Sequence, residues 1–365
     1  MTPQEAYVAF NLTERVGSVT VDELIDRSGD VVAAWEGYPS RAARGGGEVD
    51  VAAEFRRAKE YGVRLLTPAD EDYPRLLAET PGHPLCLYVK GDAKALSRPS
   101  VALVGTRRAT SYGLDHAEEL AHDLAAAGWS VVSGLALGID AAAHRGALSA
   151  GGVTVGVLGS ALDRFYPEEN RALAREMVAA GGAVVSQFPF GRDPDRETFP
   201  IRNHVVAALT RGIVAVEAPL KSGTLITTGI AAELGRTVMA LPARVDNRMS
   251  GGCLKLIRDG ARLVRDADDV MEELSELLPR STPLTAAPRK RTVRAARTAA
   301  EPPLPEVTLE EAAVLKAVDG DGVSLEKLLE LTGFPPGKVN ALCMTLRLKG
   351  RLRFLPGNRV ALVAR

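Results

Sequence analysis

Three turns of small residues carry most of the chemical information in this 365-residue chain. Gly105-Thr106-Arg107 follows an apolar run and offers a tight backbone turn, a hydroxyl and a fork of guanidinium donors, a set that suits a phosphate. Ser133-Gly134-Leu135-Ala136-Leu137-Gly138-Ile139-Asp140 closes a second apolar run and opens a helix; it lacks the GxGxxG order, so ordinary dinucleotide binding is not implied. Ser222-Gly223-Thr224 follows a third run, again at a helix start. Each turn alone meets only the geometric needs of a strand-to-helix loop. Three of them on one rim point to an anionic ligand held by helix N-termini.

Further candidates are Asp163, Tyr166, Pro167 and Asn170 in LGSALDRFYPEEN, and the FPIRN segment of residues 199–203. Arg202 and Asn203 sit where a loop becomes a helix, which suits phosphate or base contact, whereas Asp163 and Asn170 serve equally well as turn formers and caps. Arg192 and Arg196 flank the same loop but alternate with Asp193, Asp195 and Glu197, which cancel them locally.

Catalytic constellations are hard to find. His83, His116, His122, His144 and His204 have no metal-ligand spacing and no CxxC accompanies them, and neither a GxSxG elbow nor a GxxxxGK[ST] loop occurs. His144, after three alanines, reads as a buried, hydrogen-bonded helix residue. Glu217, at a strand end, is the one carboxylate placed like a general base, and no second group accompanies it. No cofactor and no metal are expected.

The elements that must position these turns follow from the apolar pattern. VALVG (101–105), VVSG (131–134), VTVGVLG (153–159), AVVS (183–186), IVAVEA (213–218) and TVMALP (237–242) are short continuous apolar runs separated by amphipathic helical stretches. That alternation predicts an α/β fold, a Rossmann-like doubly wound parallel sheet covered on both faces, with ligands beyond the carboxyl ends of its strands. Residues 1–60 read as a small helical domain with a Gly-rich turn at Gly45–Gly47. Residues 61–280 hold the sheet. Residues 281–305, rich in Pro, Ala and basic side chains, cannot bury a core and read as a linker. Residues 306–365 open with a capping box, Thr308 to Glu311, and continue as three short helices and a hairpin, a winged-helix pattern.

Charge sharpens this division. The chain has a net charge of −1, yet residues 281–365 hold 14 Lys and Arg against 8 Asp and Glu. Residues 335–365 hold seven basic residues and no acidic one: Lys338, Arg347, Lys349, Arg351, Arg353, Arg359 and Arg365. Such a run invites a polyanion or simply forms a solvated face. No apolar run approaches the ~18 residues of a membrane span. The opening MTPQEAYVAF lacks the marks of a signal peptide, and the three separated cysteines suit a reducing compartment, so a cytoplasmic location is expected.

Taken in order, VALVGTRRATSYG, SGLALGIDAAAHRGAL, VGVLGSALDRFYPEEN, FPIRNHVVAAL, VEAPLKSGTLITTGIAAELGR and GGCLKLIRDGA resemble the DprA family, also called Smf, over residues 61–280. The resemblance implies an N-terminal domain like a sterile alpha motif and a C-terminal winged helix. It also implies a non-enzymatic role: binding and protecting single-stranded DNA, and loading the recombinase RecA onto strands coated by single-strand-binding protein during natural transformation, as a homodimer formed through the Rossmann-like domain. The family's pocket transfers to Gly105, Thr106 and Arg107, to Ser133, Gly134, Ala136, Gly138, Ile139 and Asp140, and to Arg202 and Asn203. Asn170, Arg196, Ser222, Gly223 and Thr224 complete the expected surface, with Lys338, Arg347, Lys349, Arg351 and Arg353 as secondary contacts. Leu137 stands where the family often has a basic residue; Ala161, Gln187 and His204 replace a customary glycine, glutamate and arginine. The expected mechanism is a cradle of rim N–H groups, Arg107 and Arg202 around phosphates, with base stacking secondary because only 5% of residues are aromatic. The alternative is a nucleotide-binding hydrolase resembling phosphoribohydrolases, with Ser222-Gly223-Thr224 and Glu233 as a partial match to their loop. A double-strand-specific regulator built on the winged helix would leave the central domain unused.

Overall fold

The computed structural model describes residues 1–38, 49–275, 308–318, 323–349, 351–355 and 359–362. They fall into two compact units, Met1–Ala286 and Ala287–Arg365. The Gly45–Gly47 turn and the 281–305 segment lie outside the described residues.

The first unit begins with helices α1 (Pro3–Asn11), α2 (Ser18–Ser28), α3 (Val31–Gly37) and α4 (Val51–Tyr61). Thr2 and Glu5 form a capping box on α1. Ala6, Phe10, Val21, Val31 and Ala34 bury a small core, with Trp35 edge-on to Phe10 at 5.0 Å. Helix α4 is tied to the sheet: the buried Glu54 carboxylate accepts from Tyr88 Oη (2.7 Å) and Phe190 N–H (2.9 Å). Arg57 donates to Asp163 at 2.9 Å and Gly191 N–H donates to the same carboxylate at 2.9 Å, so Asp163 ties α4 to two loops instead of capping its own turn.

The sheet and its helices follow as β1 (Arg64–Leu66), α5 (Arg75–Ala78), β2 (Leu87–Gly91), β3 (Ser100–Gly105), α6 (Ser111–Ala126), β4 (Ser130–Ser133), α7 (Ile139–Ser149), β5 (Thr154–Val157), α8 (Arg171–Ala179), β6 (Ala183–Ser186), α9 (Thr198–Ala208), β7 (Gly212–Glu217), α10 (Gly223–Glu233), β8 (Thr237–Ala240), α11 (Gly251–Arg258), β9 (Arg262–Leu263) and α12 (Ala267–Ser275). Strand order is β1-β2-β6-β5-β4-β3-β7-β8-β9. The six apolar runs form the parallel centre. Beyond it β1 and β2 add an antiparallel edge that the sequence pattern had not disclosed, because both strands lie among turn-rich residues. Successive residues of β3 feed opposite cores: Val101 and Leu103 pack with α6, α7 and α12, while Ala102 and Val104 pack with α9 and α10. A strand buried on both faces needs apolar side chains at every position, which explains the continuous runs.

The second unit contains α13 (Leu309–Ala317), β10 (Val323–Ser324), α14 (Leu325–Thr332), α15 (Pro336–Leu348), β11 (Leu352–Leu355) and β12 (Arg359–Leu362). Its antiparallel sheet runs β10-β12-β11, and Val314, Leu328, Val339, Cys343, Leu346 and Val360 fill its core. Thr308 and Glu311 form the expected capping box. Three helices and a hairpin make a winged helix. Among the described residues no helix is long and apolar enough to cross a membrane.

Candidate functional site

Strand order reverses at β3, which lies between β4 and β7, and Gly105 at its end pairs with Glu217. Open α/β sheets place their ligand crevice at such a switch point. Here a cleft is lined by Arg107, Gly134, Ala136, Leu137, Tyr166, Pro167, Phe199 and Arg202. Seven residues singled out in the sequence are thus brought together: Arg107, Gly134, Ala136, Tyr166, Pro167, Phe199 and Arg202.

The turn after β4 is held by side chains from three elements. Arg202, in α9, donates from Nη1 to Gly134 O and to Val157 O (2.8 Å for the latter). Asn170, just before α8, donates to Leu135 O (2.8 Å) and Ala136 O (3.1 Å). Asp140, in the first turn of α7, accepts from Gly134 N–H (3.1 Å) and Ala136 N–H (3.3 Å). Leu135 has φ +54°, unusual for a side chain of that size, and needs this support. Gly138, at φ +78°, would set a Cβ 2.4 Å from Thr106 O, so only glycine fits between the first two turns.

These contacts narrow the expected mechanism, because the chain's own carboxylates already hold some of the rim N–H groups. Asp140 takes Gly134 N–H and Ala136 N–H of the second turn. Glu217 accepts from Thr110 N–H and Thr110 Oγ1, both at 2.8 Å, at the start of α6. Thr106 N–H donates to Glu217 O (2.8 Å), and its nearly buried hydroxyl accepts from Arg108 N–H (3.2 Å). Ser133 is fully buried and donates to Leu103 O at 2.6 Å. Gly105 abuts Ile139, whose Cγ1 lies 2.4 Å from where a Cβ would stand. Asn170 is likewise buried and spent on the turn.

Arg107 and Arg202 have different roles. Arg202 is buried; burial pulls its guanidinium down to about 10 while Asp140 opposes the shift, and Asn203 Oδ1 accepts from its Nε at 3.0 Å. Asp140 is pushed up by burial and drawn back by Arg202. Arg202 is the floor of the cleft. Arg107 is exposed and lies 5.0 Å over the Phe199 ring, a cation–π contact, and Tyr166 stands 6.1 Å from Phe199. Tyr166 and Phe199 were both candidates from their loops; their joining as one aromatic wall is what residue type and spacing did not disclose.

The remaining expectations fall outside the cleft lining. Arg196 is exposed on the loop before α9, and Arg192 pairs with Asp195 at 2.5 Å. Ser222, Gly223 and Thr224 open α10, and Thr224 is buried. Glu233 ends that helix, about 15 Å from its start at 1.5 Å per residue, so these residues do not form one hydrolytic site. Ala161 is buried, donating its N–H to Arg192 O at 2.9 Å, and His204 packs against Gly82. In the winged helix, Lys338 bonds Glu310 (2.5 Å) and Lys349 bonds the buried Glu311 (2.7 Å), which commits two of the five expected secondary contacts internally. Arg347 is exposed and Arg351 half-buried, while the side chain of Arg353 lies outside the described residues.

The family model of DNA recombination-mediator protein A matches residues 64–275, more than half of the chain. The chain belongs to the DprA/Smf family. The DprA winged helix domain matches residues 298–358. Protein Smf of Synechocystis is 36% identical over 323 residues, covering 82% of this chain and 80% of that protein. The solved DprA structure from Streptococcus pneumoniae has a TM-score of 0.63 at 32% identity, covering 75% of this chain and 98% of its own. A structure reported to show the single-stranded DNA binding mode of DNA processing protein A from Helicobacter pylori has a TM-score of 0.53 at 30% identity, covering 59% and 98%. DprA architecture, a Rossmann-like sheet and a winged helix, is therefore the architecture of this chain.

Proposed function

We propose that this DprA-family chain binds single-stranded DNA in the switch-point cleft. The observation that carries the reading is Arg107: an exposed cation stacked on Phe199 beside Tyr166, at the crevice where such sheets hold ligands. A guanidinium for the phosphate and ring faces for the unstacked base are what a sequence-tolerant single-strand binder requires. The binding mode named for the Helicobacter pylori relative supports the same ligand. Arg107 supplies the charge, while Gly134, Ala136 and Thr110 N–H are already bonded to Asp140 and Glu217.

The wider role we propose, which family membership supports, is protection of incoming single strands and loading of RecA onto strands coated by single-strand-binding protein during natural transformation, with two copies joined through the Rossmann-like unit in the cytoplasm. Three buried, unbridged cysteines are compatible with that compartment. Glu217, the carboxylate placed like a general base, accepts at the α6 end and does not line the cleft.

The test is a gel-shift titration of the full-length protein with labelled single strand, competed by unlabelled single- or double-stranded oligonucleotide at two salt concentrations. Single strand should compete, and affinity should fall steeply with salt. Preferential competition by duplex would overturn the reading in favour of the winged helix as the main DNA contact. Filament nucleation by RecA on coated strands, with and without the protein, tests the loading role, and light scattering tests the dimer.

A further inference from the structure

We propose that a single strand held in the cleft leaves it on the β7–β8 side, its phosphates following a basic lane formed by Arg108, Lys221 and Arg248. The inference rests on the single-strand reading above and adds a direction to it.

The three cations come from the carboxyl-terminal loops of three adjacent parallel strands. Arg108 follows β3, Lys221 follows β7 and Arg248 follows β8. At about 5 Å between strands the lane spans about 10 Å, room for a few consecutive phosphates of an extended chain. Bonds between the loops fix this alignment. Glu217, at the end of β7, accepts from Thr110 N–H near Arg108 and lies 3.5 Å from Asn247 Nδ2, next to Arg248. Tyr112 Oη donates to Pro242 O at 2.8 Å and ties the start of α6 to the loop after β8. Gly252 N–H donates to Ala218 O at 2.7 Å and Leu220 packs on Gly251, which seats the Lys221 turn against the start of α11.

Charge pairing distinguishes the two flanks of the cleft. On the β5–β6 flank, Arg164, Arg171 and Arg192 pair with Asp193, Glu168 and Asp195. On the β7–β8 flank, Arg108, Lys221 and Arg248 are exposed, and among the described residues none of them pairs with a carboxylate. Two carboxylates in these loops are spent elsewhere: Glu217 is buried at the α6 end and Asp246 is held by Arg244 at 2.9 Å. Three unpaired cations continuing the line from Arg107 match the regular negative charge of a phosphodiester backbone, whose neutralisation releases counterions.

The experiment measures the salt dependence of affinity for oligothymidylates of about 6 and about 16 nucleotides, within the range of single-strand site sizes. Fluorescence anisotropy with the full-length protein reads it. The shorter strand fills the cleft, and the longer one reaches the lane. Arg108→Ala, Lys221→Ala and Arg248→Ala combined should lower the salt slope for the longer strand by about 2, at about 0.7 per phosphate contact. The slope for the shorter strand should not change. Arg196→Ala, on the opposite flank, should leave both slopes as they are. Because all four side chains are exposed, these variants should fold normally, as circular dichroism would show. A parent-like slope for the longer strand in the triple variant overturns the lane. So does an equal loss for both strands, which would put the three cations inside the cleft, and so does a loss caused by Arg196→Ala instead. Each of these results leaves the single-strand reading standing. Failure of the parent protein to bind either strand overturns both.

Discussion

The carboxamide of Asn170 donates to Leu135 O at 2.8 Å and thereby holds a leucine at φ +54°. The same Nδ2 reaches Ala136 O at 3.1 Å, so one side chain satisfies two consecutive carbonyls of the turn that forms the cleft wall. Asn170→Ala should therefore cost about 1–3 kcal/mol by leaving buried carbonyls unpaired. Asn170→Asp should cost more, because a carboxylate has no donor for them. Urea denaturation reads the loss, and single-strand affinity should fall with it. An Asn170→Ala protein of unchanged stability would show that the turn holds itself.

Arg107 and Arg202 both face the cleft, but their replacement should separate binding from folding. Arg107→Ala should weaken single-strand binding for all sequences and flatten the salt dependence by about 0.7, with an unchanged denaturation midpoint. Unchanged affinity would remove Arg107 from the interface.

Arg202→Ala strips the cation from the buried Asp140 and the donor from two carbonyls. Leaving buried carbonyls unpaired in this way costs about 1–3 kcal/mol. The measurement is again denaturant unfolding, and a midpoint equal to that of the parent protein would contradict the floor role.

Glu217→Gln tests the rim carboxylate. Glu217 caps α6 through Thr110, so losing its charge should reduce stability by about 1 kcal/mol. Single-strand affinity should stay close to that of the parent, since Glu217 does not line the cleft. Release of base from a nucleoside monophosphate by the parent, abolished in this variant, would instead revive the hydrolase alternative.

His144 supplies a pH dependence. Its Nδ1 lies 2.6 Å from Thr154 Oγ1, and that hydroxyl donates its proton to Val131 O at 2.7 Å. Nδ1 must then be the donor. Nε2 is left bare and buried without a partner among the described residues. Burial pulls the imidazole down to about 3. Between pH 6.5 and 3 the unfolded chain takes up a proton that the folded one refuses, so stability is full above about 6.5 and falls as the pH drops. At about 1.4 kcal/mol per unit, lowering the pH from 7 to 5 should cost about 2 kcal/mol through this residue. His144→Gln should flatten that part of the profile, as urea midpoints at the two pH values would reveal. An identical slope in both proteins would assign the acid sensitivity to other groups.

Local information in the chain was enough for the parallel centre of the sheet, the winged helix and the position of the cleft. Strands covered on both faces need continuous apolar runs, helix starts need small residues and caps such as Thr308 and Glu311, and both signals reside in neighbouring residues. The antiparallel strands β1 and β2 escaped because short edge strands carry little pattern of their own.

Which polar groups in the cleft remain available was decided only by the tertiary fold. Arg107, in the turn between β3 and α6, and Arg202, inside α9, have the same side chain, yet one stacks on Phe199 in solvent while the other is buried against Gly134 and Val157. Asn170 and Ser133, of types that bind ligands readily, are consumed by carbonyls distant in sequence. The physical reason is that a buried donor or acceptor must be paired, and its partner comes from whichever element packs against it. Such pairings join residues tens of positions apart, a distance over which residue type and spacing carry no signal.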